Sequence, residues 1–267
     1  MMLTAACRQE VVPKVEAFRF SFGLKYSVVR DGDYCAIEQR DIWTDSQIAP
    51  PADFDEAPYI MLISKKECAA ILSQVDEIDW TKYTDLSDAD FETTPPGMQH
   101  RERLYVKIGD DVKVDWIKDF QKLQPSLREP LEATQQLIGN IAVEREGKLI
   151  PPDSLQLSLS VTEHGTTNRW SVTREGGKDE LSANGKTAEL SPDSFNDLWS
   201  QILDLRLFGA EYAPLDSTQE KNRIDELAVN INGKELVNFS FNTPYENQSR
   251  VEELHNLLSL AAKNVKK

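Results

Sequence analysis

The chain repeats itself. Tyr26-Ser27-Val28-Val29-Arg30-Asp31-Gly32 returns as Trp170-Ser171-Val172-Thr173-Arg174-Glu175-Gly176. Both segments read as a strand entering an acidic-glycine turn. Each follows an alternating strand, with Phe18, Phe20, Phe22 and Leu24 on one face of the first and Leu155, Leu157, Leu159 and Val161 on one face of the second. Period-two alternation buries one face and leaves the other in water.

Two further matches follow in the same order. Cys68, Ile71, Leu72, Val75 and Ile78 recur at helical spacing, and Phe195, Leu198, Trp199, Ile202 and Leu205 take the same places. Ser64 with Glu67 forms a capping box, in which each side chain satisfies a free amide of the first turn. Ser191 with Pro192 supplies an N-cap followed by a residue that has no amide to satisfy. The third match sets Leu104-Tyr105-Val106-Lys107-Ile108-Gly109-Asp110 against Leu227-Ala228-Val229-Asn230-Ile231-Asn232-Gly233. Asn232-Gly233 is a strong hairpin signal. An amphipathic helix closes each copy, over about 129–141 and 248–264.

These matches define a repeated strand–strand–helix–strand–strand–helix (ββαββα) unit. The chain of 267 residues therefore divides into two α+β domains, each an antiparallel sheet with helices on one face. The first spans 16–146 and the second 153–267, joined by a short linker containing Gly147, Pro151 and Pro152. Cys68 matches Phe195, and Cys35 shares a strand face with Ile37, so both cysteines read as core. They stand there as two buried thiols or as a single bridge.

Residues 1–15 read as a signal-peptide remnant or linker. Thr4-Ala5-Ala6-Cys7 places small residues before a cysteine, the pattern of a lipoprotein cleavage site, and marks Cys7 for lipidation. The cell envelope, lipid-anchored or secreted, is the expected location; a cytoplasmic protein with an accidental Cys7 is the alternative.

Charge narrows the partners. With 30 Lys+Arg against 45 Asp+Glu, the net charge is −15. Such a chain is not expected to bind nucleic acid, which needs a basic face, nor to dock on an anionic membrane surface by charge. No apolar run reaches the length of a transmembrane helix. Much of the acid sits in loops of the first copy. Asp53, Asp55 and Glu56, with Trp43 nearby, form a candidate partner-binding surface. Asp85, Asp88, Asp90 and Glu92 offer oxygen ligands to a metal, calcium at most, although the EF-hand glycine and register are missing. No other cofactor is expected. Zinc pairings, nucleotide glycine loops and a nucleophile elbow are absent from the sequence, which has three histidines, His100, His164 and His255.

This pattern, a strand pair before a Ser-capped helix and a glycine-turn hairpin before the last helix, resembles uncharacterised bacterial lipoproteins and secreted proteins built from small strand-rich domains. It is also similar in outline to β-lactamase inhibitory proteins, in which two copies of a small α+β unit form one concave binding sheet. The duplicated framework, the Cys7 context and the absence of a catalytic signature in the sequence point to a non-catalytic envelope-associated binding protein, with an acidic surface for an unknown protein or cationic ligand. An inhibitor or immunity role, and a hydrolase with its site between the two domains, are the alternatives.

Overall fold

A computed structural model describes residues 17–22, 26–40, 57–84, 86, 102–118, 122–145, 148–215 and 223–264. It is an α+β protein with two six-stranded antiparallel sheets in tandem. The first copy runs β1 (Ala17–Phe22), β2 (Tyr26–Asp31), β3 (Tyr34–Gln39), β4 (Tyr59–Leu62), α1 (Lys65–Asp76), β5 (Glu102–Ile108), β6 (Asp111–Lys118) and α2 (Pro125–Arg145). The second runs β7 (Leu155–Glu163), β8 (Thr166–Glu175), β9 (Lys178–Ala183), β10 (Lys186–Glu189), α3 (Pro192–Asp204), β11 (Arg223–Ile231), β12 (Lys234–Phe241) and α4 (Gln248–Asn264). Strand order is β4-β3-β2-β1-β5-β6 in one sheet and β10-β9-β8-β7-β11-β12 in the other. Each copy thus adds a strand pair, β3–β4 or β9–β10, between its opening hairpin and its first helix.

The duplication extends to an irregularity. Pairing slips between Val106 and Lys107 in the first copy, and between Val229 and Asn230 at the matched place in the second. A bulge inserts one residue and bends the strand, and both copies carry it at the same point. The helix starts also behave as their sequences dictate. Ser64 Oγ accepts from the Glu67 amide at 3.3 Å while Glu67 accepts from the Ser64 amide at 2.8 Å. Ser191 accepts from the Ser194 amide at 3.2 Å, with Pro192 in the first turn. Asn232 and Gly233 take φ of 50° and 83°, as the tight hairpin between β11 and β12 requires.

Each copy has its own core. The inner face of the first sheet, with Phe20, Val28, Ile37, Leu104 and Val106, packs on Ile71, Val75, Leu131 and Ile138. The inner face of the second, with Leu157, Val172, Leu181, Leu227 and Val229, packs on Phe195, Ile202, Val251 and Leu254. The α2 helix starts earlier than the spacing predicts. Pro130 lies inside it, and the Pro130 carbonyl accepts from Thr134 Oγ1 at 3.0 Å. No helix among the described residues is long and apolar enough to cross a membrane.

The two cysteines are bridged. Cys35 on β3 joins Cys68 on α1, with Cα atoms 6.3 Å apart, so the bridged alternative holds. By register, β9 carries Asp179 where β3 carries Cys35, and α3 carries Phe195 where α1 carries Cys68. There the tie takes another form. Arg174 makes two bonds to Asp179, at 2.6 and 2.7 Å, and its guanidinium lies 3.9 Å from the centre of the Phe195 ring. One position in the repeat therefore fastens strand to helix covalently in one copy, and by an ion pair stacked on an aromatic ring in the other.

The copies pack head to tail. Tyr34, Ala36, Ile60 and Leu62 point away from the first core and join the second. This explains the unbroken apolar run Tyr34–Ile37, since a strand covered on both faces loses its alternation. Arg206 Nη1 donates to the Ala57 carbonyl at 3.2 Å, and Lys234 pairs with Asp31. Gly209 lies flush on Pro58: a Cβ there would fall 2.1 Å from Pro58 Cγ. At the matched positions of the second sheet stand Lys178, Glu180, Thr187 and Glu189. A head-to-tail contact that does not close can propagate; here the next acceptor face is polar, and no further copy finds an apolar seat. The two sheets remain separate, so the single concave sheet implied by the inhibitor resemblance is not formed.

Candidate functional site

The outer face of each sheet carries a depression in the same place. In the second sheet its floor is one row of small side chains running across the strands, Ser182, Ser171, Ser158, Ala228 and Asn238. Sheet geometry makes the row: paired residues on neighbouring strands point to the same side. Longer side chains form the banks. Arg169 and Glu226 stand along one, and Gln156, Glu180 and Glu235 along the other. The larger part encloses about 740 Å³ and an adjoining part about 400 Å³.

In the first sheet, the matched depression encloses about 450 Å³. Ser21 and Ser27 keep the places of Ser158 and Ser171. Around them the chemistry changes. Arg19 stands for Gln156, Glu38 for Ser182, Arg103 for Glu226 and Tyr105 for Ala228. Arg19 donates to Glu38 at 2.7 Å, and Ser27 Oγ donates to the same carboxylate at 3.0 Å. Arg103 makes two bonds of 2.9 Å to Asp115, which push its guanidinium further up from its ordinary value. Among the described residues lining either depression there is neither histidine nor cysteine. The arrangement supplies charges and hydrogen-bonding groups.

A crevice between the copies, where a hydrolase would place its site, is lined by Tyr59, Leu62, Arg145, Leu149, Ser200 and Asp204 among others, again with no histidine among the described residues. His164 occupies an exposed hairpin turn with φ 49°. His255 on α4 rests against Trp170, with ring centres 4.5 Å apart. Burial, then the neighbouring Arg223, lowers its pKa from 6.5, against smaller opposing effects of Glu163, Asp225 and Glu252. Protonation therefore opposes folding at this position. The stability His255 contributes is complete above about pH 6.5 and is lost as pH falls toward its folded value. Proton NMR titration of its ring is expected to place the midpoint below 6.5, and H255Q to flatten that part of the stability profile.

Cys7, Trp43, Asp53, Asp55, Glu56, Asp85, Asp88, Asp90, Glu92 and His100 all fall outside the described residues. Among the described residues no group of three metal-ligating side chains assembles. The two depressions were missed because their residues are ordinary outward positions of alternating strands. The available signal was the run of serines opposite the apolar face, at 158, 160, 171 and 182. No family model, no curated protein and no solved structure matches the chain.

Proposed function

We propose that the protein is a non-catalytic binding protein of the bacterial envelope, which holds a basic protein partner on the open face of its second sheet. The observation that carries this reading is internal to the molecule. The same face of the first sheet already packs against a protein surface, the α3 side of the second copy, which supports reading the outer face as one that receives protein. In the second sheet no described residue covers that face, which carries Glu180, Glu189, Glu226 and Glu235 against Lys178 and Arg169. Its carboxylates complement a basic partner and steer its approach. The Cys35–Cys68 bridge supports an oxidising compartment, because such bridges are rare where thiols are kept reduced.

The test is retention of envelope proteins on the immobilised chain at low and high salt, with E226Q/E235Q beside it. The expected result is a basic protein held at low salt, released at high salt, and bound several-fold more weakly by the variant. Retention of nothing, or retention indifferent to both salt and substitution, overturns the reading.

A further inference from the structure

The depression on the first sheet has a chemistry of its own. Among the described residues, Arg19, Arg40 and Arg103 line it with a single carboxylate, Glu38, in a protein whose net charge is −15. The second copy shows that the repeat does not require these charges, since Gln156 and Glu226 serve at the places of Arg19 and Arg103. The cations belong to one copy of a shared hollow.

Two of the arginines are also held in position without being used up. Arg19 gives Nη2 to Glu38, and Arg103 gives Nε and Nη2 to Asp115. A guanidinium has five N–H donors, so Nη1 of Arg103 and both Nε and Nη1 of Arg19 have no partner among the described residues and stand toward a ligand. The Arg103 guanidinium lies 5.2 Å from the centre of the Tyr105 ring, which steadies its plane. Arg40 lies exposed at the rim, and the Ser21 and Ser27 side chains belong to the lining. Arginine is the side chain best matched to carboxylate and phosphate, because its planar fork bonds two oxygens at once. A hollow of about 450 Å³ falls within the range of small-molecule sites.

We propose that this hollow binds a small organic oxyanion, gripped between Arg19, Arg40 and Arg103 over the Ser21–Ser27 floor. The site is independent of the acidic face on the second sheet, and either stands without the other.

The experiment is a ¹H–¹⁵N NMR titration of the full chain with citrate, with inorganic phosphate, and with sodium chloride at matched ionic strength. Saturable shifts are expected at the amides of Ser21, Ser27 and Tyr105 and at the Nε–H signals of Arg19 and Arg103. The citrate and phosphate arms separate a carboxylate ligand from a phosphate ligand. R103E and R19Q put the second copy's residues into the first, and each is expected to weaken binding at least five-fold, whereas R169Q on the second sheet leaves it unchanged. Because R103E also frees Asp115, R19Q provides a reading that keeps that pair intact. Binding of neither probe, shifts reproduced by sodium chloride, shifts spread equally over both copies, or affinity unchanged in R19Q would overturn the proposal.

Discussion

Reduction of the Cys35–Cys68 bridge, or its removal as C35A/C68A, is expected to unfold the first copy at lower urea than the second. The two cysteines are 33 residues apart. Chain-entropy arithmetic for a loop of that length gives about 3–4 kcal/mol of stabilisation lost on opening. The loss is local, because the second copy uses no thiol at this position; Arg174, Asp179 and Phe195 make its tie. Hydrogen exchange at β3 and α1, compared with β9 and α3, reads the two copies separately. The first copy's half-buried Trp80 and Trp116 and the second copy's Trp170 and Trp199 serve as fluorescence reporters. The docked strands β3 and β4 carry Ala36 and Leu62 into the second core, so part of the interface loosens as well. Equal destabilisation of both copies, or none, would show that the bridge is not a staple of the first.

The reciprocal substitution, D179A, has a comparable expected effect in the second copy. Asp179 is 3% exposed and the Arg174 side chain 13%. Removing the carboxylate leaves a guanidinium buried against Phe195 with its bidentate partner gone. Breaking a buried pair from one side typically costs about 3–5 kcal/mol, more than the intact pair contributes over an apolar replacement. The large effect therefore measures an uncompensated charge. Urea denaturation of the variant is expected to lower the second copy's midpoint and leave the response to reduction unchanged. Salt should alter the effect little, since buried pairs are weakly screened. A loss below about 1 kcal/mol, the usual range of exposed pairs, would mean that water reaches Arg174 freely.

Much of the framework was legible because the repeat compares the chain with itself. Matched positions such as Val28 with Val172, or Ile71 with Leu198, keep apolar character while neighbouring polar residues diverge, which separates core from surface without any other sequence. The helix starts at Ser64 and Ser191 were legible because capping chemistry is local. The extra strands were harder. Tyr34–Ile37 has no alternation, since both of its faces are covered, and the four-residue strand Lys186–Glu189 exposes most of its side chains. The candidate sites were not legible for a related reason. Ser21, Ser27, Arg19, Glu38 and Arg103 sit on four different strands, and only antiparallel pairing brings them to one face.

By itself, then, the sequence determined the duplication, the α+β class, the inner face of each sheet and the helix caps. These depend on spacing and on side chains that act within a few residues of one another. The tertiary structure alone decided that Cys35 meets Cys68, that an Arg–Asp pair on a phenyl ring takes that place in the second copy, and that the copies stack head to tail. It also decided that, among the described residues, one outer face is partly occupied while the other stays open. Those outcomes depend on distances between residues far apart in the chain, and on which polar groups remain outside once the apolar faces have found partners.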